Sequence, residues 1–409
     1  MNLTVVGSGP GGIYAALAAS QKGAKVTLVE KQERLGGTCV LYGCIPSKAM
    51  IAPLATRYLA GKFGKDISFS YEELQTIAEN VVRRASKGVE YMLENGGVNV
   101  IHGQAELRSG KINVGAQSLD SDSIVIASGT EKPQVKGTIA SDDLHFIKKK
   151  FSKVLLIGGG VGGVEYGWLL AMTGKKVTIV ERDELLLPKH DIDLRRSVTS
   201  HFKRLGIDVR TNSLAEIGDQ IKINGEEEDF DLVVLTFGRK PALKGFEELS
   251  DGNWIEVDSF MRTKLNNVYA AGDVTGSFTA HEAIHKGIVA GLNAVGEKVS
   301  YDKMVIPKVL YTHPEIAYVG KTEGTCVKVS MAEVIRAVAE QSTDGFIKVC
   351  AKGENITGGV AFSERAEDII SSLALLMQLN VNVDIASKLI MPHPSYLEGL
   401  WEALRRLKS

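Results

Sequence analysis

Cys39 and Cys44 stand five positions apart in Gly36-Gly37-Thr38-Cys39-Val40-Leu41-Tyr42-Gly43-Cys44-Ile45-Pro46-Ser47-Lys48. Two thiols can store two electrons by closing a disulfide. A regular helix would advance about 7.5 Å over five residues, beyond the usual Cα separation of a disulfide, so a bridge here needs an irregular turn. Gly43 and Pro46 are suited to supplying one. Spacing alone leaves open the plainer alternative of two unpaired structural thiols. A redox pair also needs a cation or a helix N-terminus to stabilise its thiolates, and Lys48 is a candidate for that cation. Far along the chain, His393-Pro394-Ser395-Tyr396-Leu397-Glu398 sets an imidazole before a proline that stops one helix and starts the next. Glu398 then falls in the first turns and can hold the ring in one tautomer, leaving it able to exchange protons with a thiol. Cys326 and Cys350 are isolated among apolar neighbours and read as core residues.

These groups must be positioned by the elements around them. Leu3 to Val6 is a short apolar run entering Gly7-Ser8-Gly9-Pro10-Gly11-Gly12, followed by a helix-like Ile13 to Gln21 and a second run, Lys25 to Glu30. The pattern recurs as Val154 to Ile157, then Gly158-Gly159-Gly160-Val161-Gly162-Gly163, Val164 to Met172 and Lys176 to Glu181. In both copies an acidic residue ends the second strand 18 positions after the last fingerprint glycine. One such glycine pattern is weak evidence; two in register predict two dinucleotide-binding halves. Gly7 and Gly158 permit the tight turn, Gly9 and Gly160 let backbone approach a pyrophosphate, and Gly12 and Gly163 let helix and strand pack closely. Glu30 and Glu181 are placed to accept hydrogen bonds from an adenosine ribose, which favours FAD and NAD over NADP, although Arg182 beside Glu181 could reach a 2'-phosphate. Ile67 to Gly96 reads as a charged helix, Val98 to Gly129 as a β-meander, and Ser141 to Lys150 as a linker. From about Tyr301 onward a β-rich and then helical unit is expected.

The chain has 409 residues, long enough for two to four domains. Its 48 basic and 49 acidic side chains nearly balance, so no general field favours nucleic acid or an anionic membrane. Glycines interrupt the early apolar stretch, no basic run precedes it, and no later run approaches the roughly 20 uninterrupted apolar residues of a spanning helix. Four cysteines do not make a secreted disulfide scaffold. The expectation is a cytoplasmic protein with no nucleic-acid or membrane partner.

The cysteine segment resembles the redox motif of the dihydrolipoamide dehydrogenase and glutathione reductase family, the pyridine nucleotide-disulfide oxidoreductases. The resemblance extends over nearly the whole chain, through Ile126-Ala127-Ser128-Gly129, Phe237-Gly238-Arg239-Lys240-Pro241, Ala270-Ala271-Gly272-Asp273 and Tyr311-Thr312-His313-Pro314-Glu315-Ile316-Ala317. It implies an α/β fold: an FAD-binding domain over 1–140 and 243–300, an NAD-binding domain over 141–242 and a C-terminal α+β dimerisation domain over 301–409. It implies that Cys39 exchanges with the disulfide substrate, that Cys44 contacts the flavin, and that Lys48 pairs with Glu165. Asp273 would hydrogen-bond the ribityl chain, with Ala280 and His281 opening a helix near the isoalloxazine. Lys31, Gly37, Thr38, Ala105, Ser128, Gly129 and Gly238 are further cofactor-binding expectations, and no metal site is expected. His393 and Glu398 would reach the cysteines of the partner subunit in a homodimer.

The sequence departs from dihydrolipoamide dehydrogenases in Met391-Pro392 before His393, in Ser395 where threonine is usual, and in Ser128 where threonine is usual. It is also shorter than typical members. The expected function is two-electron transfer between NAD(H), FAD, the Cys39–Cys44 pair and a small or protein-bound dithiol, foremost dihydrolipoamide. The alternatives are a glutathione-like disulfide reductase and an NADH oxidase or diaphorase.

Overall fold

A computed structural model describes residues 1–302 and 304–408, which includes the expected C-terminal unit 301–409 except Lys303 and Ser409. The chain divides into two compact units. The first comprises 1–50, 72–133 and 238–302; the second comprises 51–71, 134–237 and 303–409.

Five parallel strands form the first unit's sheet, in the order Val268–Ala270, Ser123–Ile126, Asn2–Val6, Lys25–Glu30, Asn99–His102. The interior strand Ser123–Ile126 is fully buried, as a strand covered on both faces must be. The helix Pro10–Gln21 crosses the helix Ala280–Ala294 at close range. A Cβ on Gly287 would lie 2.1 Å from the Gly11 carbonyl oxygen, and one on Gly291 would lie 2.2 Å from that of Ala15. Glycine is what allows the two backbones to touch. The expected meander over 98–129 is real only in its middle. Ala105–Arg108, Lys111–Val114 and Gln117–Ser118 form an antiparallel sheet, while the strands on either side join the parallel sheet. Short apolar strands of the two kinds look alike in sequence.

The second unit repeats the parallel arrangement as Asp208–Arg210, Lys176–Val180, Lys153–Ile157, Leu232–Leu235, Ile139–Ala140. Residues 141–150 are not a plain linker, because Ser141–Phe146 coils into a 3-10 helix that buries Leu144 and His145. The same unit holds an antiparallel sheet ordered Lys308–Leu310, Glu315–Gly320, Asn355–Ser363, Phe346–Lys352, Thr325–Ser330. On one face of it the helices Ala366–Gln378 and Leu397–Lys408 close a core that includes Val319, Val349, Leu373 and Leu404.

One further sequence expectation is corrected. Cys326 and Cys350 are not isolated: they are direct partners across the antiparallel strands Thr325–Ser330 and Phe346–Lys352, and they form a disulfide. Cys350 is buried, but Cys326 is exposed at the sheet edge. Among the described residues one helical stretch, 37–62, is long and apolar enough to cross a membrane by length and composition. That helical stretch breaks at Tyr42-Gly43, between Gly37–Leu41 and Cys44–Lys62.

Candidate active site

The two glycine loops are built on one plan. Gly7 and Gly158 take φ of +99° and +104°, conformations that side chains rarely adopt. A Cβ on Gly12 would lie 1.9 Å from the Gly7 carbonyl oxygen, and one on Gly163 lies at the same 1.9 Å from that of Gly158. Gly9 and Gly160, by contrast, face open space with no heavy atom within 4 Å of a Cβ. Each loop therefore has two glycines demanded by the fold and one left bare toward whatever lies above the helix N-terminus, which fits a bound pyrophosphate. Glu30 and Glu181 are both buried. Glu30 accepts from the Ser8 amide (2.8 Å), the Ser8 hydroxyl (2.7 Å) and the Gln32 amide (2.9 Å); Glu181 accepts from the amides of Gly159 (2.7 Å) and Asp183 (2.9 Å). Each carboxylate thus ties its glycine loop to its strand end. Arg182 is exposed. Glu30, Lys31, Ala105 and Ser128 line one recess of the first unit. Ser128 Oγ donates to the Ala242 carbonyl (2.8 Å), and Gly129 takes φ of +74°.

The cysteine segment begins hard against the first loop, since a Cβ on Gly37 would lie 2.5 Å from Gly9 Cα. The amides of Tyr42 and Gly43 both turn back to the Thr38 carbonyl, at 2.9 and 2.7 Å. That closes the short helix Gly37–Leu41 and starts a new one at Cys44. The irregular turn required by the spacing lies there, whereas Pro46 sits inside the second helix. Cys39 and Cys44 are both thiols, joined by a hydrogen bond. That bond, then burial, then the charge of Cys44 push the Cys39 thiol well above its ordinary pKa; Lys48 pulls the other way and Asp273 adds to the rise. The two sulfurs thus lie within hydrogen-bonding reach of each other, with Lys48 acting on the pair as a cation.

Asp273 lies in a 3-10 turn directly after the strand Val268–Ala270. Burial, with Glu282 in support, pushes its carboxyl up to about 6, against the opposing charges of Arg239 and Lys286. Ala280 and His281 open the helix Ala280–Ala294. Gly238 takes φ of +95° beside Pro133. Arg239 was not singled out by sequence reasoning, although it lies in a stretch that carries the resemblance. Its guanidinium donates to Thr130 Oγ1 (2.7 Å), the Thr130 carbonyl (3.1 Å) and Thr38 Oγ1 (3.4 Å), the residue before Cys39. The available signal was its place in the run Gly238-Arg239-Lys240-Pro241.

In the second unit, Glu165 lies on the helix Val161–Met172 and accepts from the Tyr311 amide at 2.7 Å. His393 Nδ1 donates to Glu398 Oε1 at 2.7 Å, and the Ser395 amide donates to Glu398 Oε2 at 2.8 Å. Burial would raise the Glu398 carboxyl, but the hydrogen bonds from His393 and Ser395 outweigh it and hold it below the ordinary range. His393 is exposed, with 67% of its side chain open, so the nitrogen away from Glu398 is free to meet another molecule. Among the described residues no group of three or more His, Cys, Asp or Glu side chains could hold a metal ion.

Residues 1–290 match the pyridine nucleotide-disulphide oxidoreductase family, and residues 306–404 match its dimerisation domain. The chain is similar to the dihydrolipoyl dehydrogenase of Bacillus subtilis, at 31% identity over 99% of this chain and 98% of that protein. It is also similar to that of Haloferax volcanii, at 30% identity over 98% and 95%. Among solved structures, LpdA from Mycobacterium tuberculosis superposes with a TM-score of 0.90 at 24% identity, covering 100% of this chain and 99% of that one. The HOCl-induced flavoprotein disulfide reductase RclA from Escherichia coli superposes at 0.88 with 22% identity over 99% of each chain. These two establish likeness of fold.

Proposed function

Because the chain belongs to the pyridine nucleotide-disulphide oxidoreductase family and is an enzyme that works with FAD and NAD(H), we propose that it interconverts dihydrolipoamide and lipoamide. The observation that carries this reading is the hydrogen-bonded pair Cys39 and Cys44, within the field of Lys48, in a chain similar end to end to proteins named dihydrolipoyl dehydrogenase.

When bound, FAD and NAD supply the two-electron chemistry that returns the cysteine pair to its disulfide. The loops at Gly7-Gly9-Gly12 and Gly158-Gly160-Gly163 hold the two pyrophosphates, and Glu30 and Glu181 the two riboses. Asp273 and the opening residues of helix Ala280–Ala294 hold the flavin end, and the pairing of Lys48 with Glu165 belongs to the same proposal. So does the division into FAD, NAD and dimerisation domains. With Nδ1 of His393 donating to Glu398, Nε2 is the nitrogen that accepts a proton from a substrate thiol. The substrate thiolate attacks Cys39 Sγ of the closed pair, the Cys39–Cys44 bond breaks, and Cys44 leaves as a thiolate. The second substrate thiol then attacks the first substrate sulfur, releasing Cys39 and the cyclic disulfide. In the homodimer His393 and Glu398 act on the cysteines of the partner subunit.

The test is a panel of dihydrolipoamide, lipoate, glutathione disulfide and coenzyme A disulfide, assayed with both nicotinamides. Dihydrolipoamide with NAD should give the highest kcat/KM, and Cys44→Ser should abolish it. A higher value on another disulfide overturns the substrate. Turnover that survives replacement of both Cys39 and Cys44 overturns the mechanism in favour of a flavin oxidase or diaphorase.

A further inference from the structure

The second cysteine pair lies at a place where the chain makes an unusual demand on the C-terminal sheet. Gly320, Gly358, Cys350 and Cys326 form one cross-sheet row, each the direct partner of the next. The row spans three strand spacings, about 14 Å. Yet the chain runs from Gly320 to Cys326 in six residue steps, whose extended reach is about 20 Å. The crossover Lys321 to Gly324 therefore has little slack and lies flat on the strands it passes. Its contacts agree. The Lys321 amide donates to the Thr357 carbonyl (2.9 Å), and Thr357 Oγ1 donates to the Glu323 carbonyl (2.7 Å). A Cβ on Gly324 would lie 2.3 Å from the Ala351 carbonyl oxygen, and one on Gly358 would lie 2.5 Å from the Lys321 nitrogen. The strand that receives the crossover, Thr325–Ser330, is the sheet's outermost, paired on one side only.

We propose that the Cys326–Cys350 disulfide is a permanent staple that pins this edge strand where the short crossover lands, and that it stays closed while Cys39 and Cys44 open and close. Cys326 is the second residue of the edge strand, and its partner lies in the neighbouring strand within an unbroken run of six paired residues, Thr325↔Ala351 to Ser330↔Phe346. Exchange with an external thiol would require a thiolate to attack the sulfur of Cys326, an exposed residue, forming a mixed disulfide and expelling Cys350 as a thiolate. Cys350 is 0% exposed, so the expelled charge would be desolvated, which makes it a poor leaving group. The ladder also keeps Cys350 opposite Cys326, where it can attack the mixed disulfide and restore the original bond. The helix Leu397–Lys408 packs across both stapled strands, and a Cβ on Gly399 would lie 2.5 Å from Ile347 Cδ1. The staple thus stiffens the platform beneath Glu398.

The experiment is differential alkylation of the holoenzyme, with peptide masses read after unfolding. Oxidised enzyme should give a crosslinked Cys326–Cys350 peptide, and enzyme reduced anaerobically with NADH should label Cys39 and Cys44 alone. Labelling of Cys326 or Cys350 without any reductant, or after NADH, overturns the proposal. Failure of NADH to expose Cys39 and Cys44 would instead count against the proposed function and leave the staple standing. The double variant Cys326→Ala/Cys350→Ala should melt several degrees lower while keeping its flavin absorbance and NADH reduction. An unchanged melting temperature overturns the staple role.

Discussion

At the scale of single residues, Cys39 is governed by three neighbours that can be removed one at a time. The hydrogen bond its thiol donates to Cys44 is the largest influence raising it, and Lys48 opposes it. Cys44→Ala should therefore speed alkylation of Cys39 in the reduced protein at every pH below the thiol's titration, and Lys48→Met should slow it. Iodoacetamide rates against pH measure both, and equal rates in all three proteins would mean that neither neighbour acts on the thiol. Asp273 gives a second handle. Its carboxyl is raised from 3.8 to about 6, so the fold prefers the protonated form. The stability this group contributes is complete below its ordinary pKa and is lost as pH rises through about 6, a change of about 3 kcal/mol. In flavin-free protein, Asp273→Asn should thus gain stability relative to the parent as pH rises from 4 to 7. Urea unfolding curves that stay parallel across that range would refute the assignment.

The elements separate the glycines that the fold demands from those it leaves open. Gly163→Ala would force a Cβ into the Gly158 carbonyl, and should lower unfolding stability by about 1–3 kcal/mol, as overpacking does. Gly160→Ala points into open space, so it should melt like the parent, and under the proposed NAD site it should bind NADH roughly tenfold more weakly. Melting curves and NADH titrations separate the two; a Gly160→Ala protein that binds NADH normally would count against this loop as the site. Both loops were legible in the sequence because strand, glycines, helix and acid are local and repeated. The Cys326–Cys350 bridge was not. It depends on which of five antiparallel strands lie side by side, and a separation of 24 residues carries no sign of that register. The coiling of 141–146 was hidden likewise, since Leu144 and His145 are buried by tertiary packing.

For the whole molecule, the sequence made the redox pair and the His393–Glu398 pair visible as separate motifs, some 350 residues apart, and nothing in spacing could say whether one chain supplies both to one site. The dimerisation domain raises the question physically. A twofold dimer has two equivalent sites, and if each takes its cysteines from one subunit and its histidine from the other, damage to the two motifs should complement. Cys44→Ser and His393→Ala homodimers should each be nearly inactive on dihydrolipoamide. In a mixed dimer, one site pairs the intact cysteines of the second variant with the intact histidine of the first, and the other site carries both lesions. Random exchange makes about half of all dimers mixed, each with one working site of two, so the exchanged population should recover about a quarter of parental activity. Dissociation and reassociation of an equal mixture, followed by assay, measures this. If His393 instead served its own subunit's cysteines, every site in the mixture would carry one lesion and activity would stay at the level of the separate variants.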